Sequence, residues 1–241
     1  MRSDLRKDGV QMAATQEEMI YEIVKQYIKT SGNEIDNPGS LSTRKVIPDT
    51  EPVRLAVGVS NRHVHLDRQD CDELFGKDYE LTESKPLSQD GMFAAKETVI
   101  LAGPKGALIG VRILGPLRRN TQVEISFSEA RHLGVMPPVM QSGETGKTPE
   151  LTIIGPRGTV VNNKAVMVAW RHVHMDVDWA AARGLKDNDI VKVRTTGARS
   201  VIFENVVVRT GRGWVNEVHI DTDEGNAANI KTGDIVEIIR Q

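Results

Sequence analysis

Apolar residues recur in two rhythms along this chain. Between residues 15 and 31 the rhythm is helical. Met19, Ile20, Ile23, Val24, Tyr27 and Ile28 share one face, and Glu17, Glu18, Glu22, Lys25, Gln26 and Lys29 the other. Thr15 with Glu18 three residues later makes a capping-box pattern, and Ser31-Gly32 supplies a stop. The pattern predicts an amphipathic helix of about four turns, whose apolar stripe needs a partner surface because so short a helix is marginal alone. Gly32 to Pro52, rich in Ser, Asn, Pro, Gly and Thr, reads as a linker. The helix either packs back on its own domain or serves as a docking segment, and the linker favours docking.

From Arg54 onward the rhythm is that of short strands: 54–60, 98–102, 107–114, 121–127, 150–154, 165–169, 190–195, 200–208, 214–220 and 235–239. Many short strands with few helices predict barrels or sandwiches. Internal repeats sharpen this. Arg62-His63-Val64-His65-Leu66-Asp67 returns as Arg171-His172-Val173-His174-Met175-Asp176. The turn Gly103-Pro104-Lys105-Gly106 returns as Gly155-Pro156-Arg157-Gly158, and the stretch from Gly184 to Val191 resembles that from Asn229 to Val236. The expectation is a mainly β protein with two similar β-barrel domains capped by short helices, at residues 51–145 and 146–241. The boundary falls where Ser, Gly, Thr and Lys cluster, between Met140 and Thr148. Residues 1–50 precede them as the amphipathic N-terminal helix and linker.

Composition narrows the function classes. Lys plus Arg number 31 against 33 Asp plus Glu, a balance that argues against a nucleic-acid binder. Aromatic residues make up only 4%, so the core must be aliphatic. No apolar run reaches the roughly 18–20 residues of a membrane helix, and Met1 to Gly9 lacks the apolar region of a secretory signal. One cysteine, Cys71, excludes an internal disulfide, thiolate zinc fingers and iron–sulfur clusters, and it predicts a reducing, cytoplasmic setting.

Of six histidines, four sit in the repeated His-Val-His pairs. Residues i and i+2 of a strand share a face, so each pair presents two imidazoles side by side, a chelate for a borderline metal such as Zn²⁺. A lone pair of this kind is usually surface decoration; its duplication with flanking Arg and Asp favours metal. A third ligand must come from elsewhere. His219 and Glu124, each between apolar neighbours on a strand, are candidates. Arg118 and Arg119 follow a Gly-Pro turn just before the Glu124 strand, and a guanidinium can hold phosphate through two parallel hydrogen bonds. Asp67 and Asp176 read as helix N-caps. His132 reads as a structural cation near a helix C-terminus.

The paired RHVHLD and RHVHMD motifs, Gly115-Pro116-Leu117-Arg118 leading into Thr121-Gln122-Val123-Glu124-Ile125-Ser126, and the His219 strand resemble the PduL-type phosphate acyltransferases, the phosphotransacylases of bacterial microcompartments. The resemblance runs from about residue 50 to 241. It implies interconversion of acyl-CoA plus phosphate with acyl phosphate plus CoA, propanoyl being the favoured acyl group. It implies two zinc ions per chain, one at His63, His65 and Glu124 and one at His172, His174 and His219. It further implies that Arg118 is catalytic and binds the phosphate, and that Asn226, in a segment similar to the family's active-site loop, binds substrate; a homo-oligomer is expected as well. The N-terminal helix would direct the enzyme to shell or core proteins of a microcompartment. Two other functions fit the residues: a zinc hydrolase, which would not need phosphate, and a non-catalytic barrel that binds protein partners, which would hold no metal.

Overall fold

The structure, a computed structural model, describes residues 52–239; the helix expected at residues 15–31 and its linker up to residue 51 lie outside the described residues. In the first half the strands are β1 (Val53–Ser60), β2 (His63–His65), β3 (Glu83–Pro86), β4 (Phe93–Ala102), β5 (Ala107–Gly115), β6 (Gln122–Glu124) and β7 (Val139–Met140). In the second they are β8 (Leu151–Ile154), β9 (Thr159–Asn162), β10 (Val166–Ala169), β11 (His172–Asp176), β12 (Ile190–Arg194), β13 (Ile202–Gly211), β14 (Glu217–Asp221) and β15 (Ile235–Ile239). Four short helices interrupt them: α1 (Arg68–Phe75), α2 (Phe127–Leu133), α3 (Val177–Ala181) and α4 (Thr222–Ala228). The protein is mainly β, as expected. No helix among the described residues is long and apolar enough to cross a membrane.

The strands form one closed barrel, β1-β14-β11-β13-β12-β15, and one open sheet, β7-β10-β6-β2-β5-β4-β8-β9, with β3 added beside β4. Two closed barrels were expected, so the second is a correction. The sheets also cross the expected boundary at residue 145. β1, N-terminal to it, pairs with β14 and β15 in the closed barrel. β8, β9 and β10, C-terminal to it, join the open sheet through β4 and β6.

The duplication is nevertheless real, and it is carried by strand order. The open sheet runs β10-β6-β2-β5-β4-β8 where the barrel runs β1-β14-β11-β13-β12-β15. Taken in order, the pairings are parallel, antiparallel, parallel, antiparallel and antiparallel in both. The barrel closes through β15 and β1. Among the described residues β8 and β10 make no such pairing.

Local chemistry repeats with the strands. Asp67 and Asp176 cap α1 and α3, as the sequence predicts. Ser126 with Glu129, and Asp221 with Glu224, form capping boxes on α2 and α4. This is why the strand expected over 121–127 stops at Glu124. The arginine that opens each repeated motif pairs with the box glutamate: Arg62 with Glu129 at 2.8 Å and Arg171 with Glu224 at 3.2 Å. These arginines therefore tie the motif strand to the helix that follows the partner strand.

The Gly-Pro turns have an equally local cause. Lys105 and Arg157 donate their backbone N–H groups to Leu133 O and Leu74 O, each at 3.0 Å, so each turn receives the end of a helix. A Cβ on Gly103 would lie 2.4 Å from Leu133 O, and one on Gly155 would lie 2.5 Å from Leu74 O. Only glycine allows that approach. Two aliphatic cores fill the two halves, and Phe75 and Phe203 are the only aromatic side chains among their buried residues.

Candidate active site

A cavity of about 600 Å³ is lined from both sheets. His63, His65, Glu124, His172, His174, His219 and Arg118 all face it. Register explains the grouping. His63 on β2 lies directly across from Glu124 on β6, and His172 on β11 lies directly across from His219 on β14. Glu124 and His219 therefore occupy equivalent positions in the two repeats. Each His-Val-His pair presents its imidazoles together, with ring centroids 5.0 Å apart for His63–His65 and 4.7 Å for His172–His174.

The first trio is buried, and its ligand atoms lie within 4.8 Å of one another. His63 Nδ1 sits 2.8 Å from Asn61 O and His65 Nδ1 sits 3.1 Å from Leu114 O. A carbonyl only accepts, so both Nδ1 atoms carry protons. His63 Nε2 faces Glu124 Oε2 at 3.4 Å. Burial alone would lower the His63 pKa, but the Glu124 carboxylate outweighs it and raises it. Burial would raise Glu124, but His63 holds it well below the ordinary carboxylate range. Burial, with His63 and Arg118 nearby, pushes His65 down to about 3. Two nitrogens and one carboxylate oxygen, buried and converging, suit a zinc-sized cation, which would replace the proton on His63.

The second trio is close-packed but less converged. His219 lies 5.1 Å from His172, centroid to centroid and nearly coplanar in stacking, and 4.5 Å from His174. His172 Nδ1 bonds Trp170 O at 2.8 Å, repeating the His63 arrangement. Burial, with His219 beside it, lowers His172 to about 4, and burial with both neighbouring imidazoles lowers His174 to about 2. His174 Nδ1 and His219 Nε2 are buried without a hydrogen-bond partner. Glu217 Oε2 comes within 3.1 Å of that His219 nitrogen, outside hydrogen-bond alignment. Three close-packed imidazoles, two of them with orphaned nitrogens, are a donor set that a cation would satisfy. The stacking of His172 on His219 means that these rings must turn to share one ion.

Arg118 bridges the first trio to a second, adjoining cavity of about 370 Å³, lined also by Arg119, Asn120, Gln122, Gly143 and Thr145. Its Nη1 donates to Ser142 Oγ at 2.9 Å, and Gln122 Nε2 donates to the same oxygen at 2.9 Å. Gln122 Nε2 also donates to Glu124 Oε1, and Gly143 N–H donates to Gln122 Oε1 at 2.7 Å. Arg209 Nη1 reaches Ser142 O at 3.5 Å. Burial and the nearby Arg209 lower the Arg118 pKa, although Glu124 raises it; a guanidinium stays charged regardless.

Sequence reading missed several of these residues. Ser142 and Gly143 fall in the segment read as a domain boundary; it instead lies against Arg118 and Gln122. Gln122 and Glu217 carry no motif of their own, and their signal is position alone, two residues before Glu124 and His219 on the same strand face. Asn226 is placed differently from the other candidates. It sits on the exposed side of α4 and does not line the cavity, because Gly225 and Ala228 take the buried positions. Arg119 is exposed and lines only the smaller cavity. Cys71 is buried in α1 with Sγ 3.6 Å from Tyr79 O, away from both cavities, and burial raises its thiol pKa. His132 lies in the last turn of α2, with Nε2 3.3 Å from Ala107 O.

Comparison with known proteins gives the chain's relatives. A family model described as phosphate propanoyltransferase matches residues 56–231. A phosphate propanoyltransferase of Thermotoga maritima is 53% identical over 186 residues, covering 77% of this chain and 89% of that protein. One from Rhodopseudomonas palustris is 45% identical over 226 residues, 94% of this chain and 99% of the relative. That alignment reaches into the first fifty residues. One from Listeria monocytogenes is 40% identical over 199 residues, covering 83% and 92%.

Proposed function

Because the chain belongs to the phosphate propanoyltransferase family, a family of phosphate acyltransferases, we propose that it interconverts propanoyl-CoA plus phosphate with propanoyl phosphate plus CoA in the larger cavity. The reading rests above all on one observation: two trios of metal-competent side chains and Arg118 face a single cavity. His63, His65 and Glu124 would hold one zinc ion, and His172, His174 and His219 a second. Bound zinc supplies Lewis acidity toward a thioester carbonyl and stabilisation of a thiolate leaving group.

The chain's own residues do the rest. Arg118 holds the phosphate dianion through parallel N–H bonds and orients one oxygen toward the acyl carbon. The phosphate oxygen forms the new C–O bond, the C–S bond breaks, and CoA departs as thiolate. Attack is direct. The one thiol of the chain, Cys71, is buried away from the cavity with a raised pKa and cannot serve as acyl carrier. Acetyl-CoA differs by one methylene and should compete with modest discrimination, on the order of 10–200-fold.

Residues 1–50 are proposed to act as a docking segment toward microcompartment shell or core proteins and to promote self-association, placing the enzyme in that compartment. Purified protein should carry about two zinc ions per chain and release CoA thiol from propanoyl-CoA only when phosphate is present, and chelation should abolish that release. Thiol release without phosphate would mark a hydrolase. Absence of both metal and thiol release would leave the protein as an interaction module.

A further inference from the structure

A hydrogen-bonded path joins the Glu124 carboxylate to the Arg118 guanidinium through Gln122 and Ser142. Gln122 is 2% exposed and points to the same strand face as Glu124. Its amide orientation is fixed by its partners. Gly143 N–H can only donate, so it must meet Gln122 Oε1, and it does so at 2.7 Å. Gly143 has a φ of 95°, a backbone conformation that aims this N–H and that suits glycine. The Nε2 side of Gln122 is thereby turned to Glu124 Oε1 and to Ser142 Oγ. Ser142 Oγ accepts from both Gln122 and Arg118, which fills its two lone pairs.

The consequence for Glu124 is asymmetry. Its Oε1 is engaged by the amide, while Oε2 faces His63 Nε2 at 3.4 Å. The equivalent position in the other repeat carries Glu217, whose Oε2 instead accepts from Ser88 Oγ at 2.7 Å. The fold therefore does not demand an amide at this position; the first trio does.

We infer that Gln122 is a positioning residue that restricts Glu124 to metal ligation through Oε2 and, through Ser142, holds Arg118 at a set distance from that ligand. Metal and phosphate are thus presented to the acyl group as one preorganised unit. The inference rests on the zinc reading above, and its failure can be told from the failure of that reading.

The test measures zinc affinity by competition with a chelator, the absorption spectrum of Co²⁺-substituted protein, and separate KM values for phosphate and propanoyl-CoA. Gln122→Ala should weaken zinc binding at one site by about 10–100-fold and alter the Co²⁺ spectrum. Ser142→Ala should leave zinc affinity and the spectrum unchanged, raise the phosphate KM by about 3–10-fold, and spare the propanoyl-CoA KM, as expected for one lost hydrogen bond. Ser142→Thr, which keeps the oxygen, should restore the phosphate KM. A folded Gln122→Ala protein with wild-type zinc affinity and Co²⁺ spectrum overturns the inference. So does an unchanged phosphate KM in Ser142→Ala, and that measurement stands even if Gln122→Ala does not fold. Wild-type protein that takes up neither zinc nor Co²⁺ removes the zinc reading itself.

Discussion

Acidifying the metal-free protein from about pH 6 to about pH 5 should cost it about 3 kcal/mol of stability. Three imidazoles drive the loss. Burial, reinforced by neighbouring charges, holds His65 at about 3, His172 at about 4 and His174 at about 2. In the unfolded chain each returns to about 6.5. In this window the unfolded chain binds close to three protons that the fold refuses, so stability falls as pH falls. Each contributes a little over 1 kcal/mol per pH unit, about 4 together. Glu224 has the opposite sign. Burial and the neighbouring Asp221 raise it to about 7, so the fold keeps a proton that the unfolded chain releases. That offsets about 1 kcal/mol over the same unit. His63 and Glu124 stay out of the balance. His63, raised, is protonated in both states below about 6.5, and Glu124, lowered, is ionised in both above about 4.3. Urea unfolding of chelator-treated protein, extrapolated to water at each pH, gives the slope directly. His174→Asn removes one of the three imidazoles and should reduce their contribution by about a third. A stability that stays flat across this interval would refute the claim that these histidines are held neutral by the fold. The same depressed values mean that, with metal bound, proton competition for these ligands should begin well below pH 5.

Three further outcomes are expected. Arg118→Ala should raise the phosphate KM by about 10–100-fold with little change in the KM for propanoyl-CoA, and Arg118→Lys, which keeps charge but not the planar fork, should recover only part of it; steady-state kinetics with each substrate varied checks both. Gly103→Ala and Gly155→Ala should each destabilise the protein by about 2 kcal/mol, since the new Cβ displaces a helix-end carbonyl, whereas Gly146→Ala, whose Cβ would meet only Met140 Cε at 3.9 Å, should stay within about 0.5 kcal/mol in denaturant titrations. Cys71→Ala should retain nearly full turnover while losing about 1–2 kcal/mol of stability from the buried site; loss of turnover in a folded, metal-replete variant would contradict direct attack by phosphate.

How much of this was legible beforehand depended on the range of the interaction. The His-Val-His pairs were readable because strand periodicity is local and because the motif occurs twice. The caps at Asp67 and Asp176 were readable for the same reason. Glu124 and His219 were identifiable as candidates, but the register that puts them opposite His63 and His172 was not, since it depends on partners tens of residues away. The exchange of β1 into the closed barrel was hidden more deeply, because its contacts with β14 and β15 join the two ends of the described chain. Ser142 and Gly143 were misread because a hinge and a loop that meets an arginine have the same composition of small polar residues and glycine. Asn226 was placed by resemblance alone, and helical packing of Gly225 and Ala228 turns it outward.

The duplication also explains why two similar halves offer different chemistry. Both repeats use the same scaffold: a motif strand, an antiparallel partner whose facing residue completes the trio, and an arginine tying that strand to a capped helix. What differs is the facing residue and the residue two positions before it. In the open sheet these are Glu124 and Gln122, so the first trio contains a carboxylate, is drawn together by the His63–Glu124 pair and is tied to an arginine. In the closed barrel they are His219 and Glu217, so the second trio contains no carboxylate; two of its nitrogens are orphaned, and the Glu217 carboxylate lies 3.1 Å from one of them. A cation held by the first trio would have part of its charge neutralised by the Glu124 carboxylate. Both trios face one cavity, so a single scaffold, used twice, supplies two different donor sets to the same space.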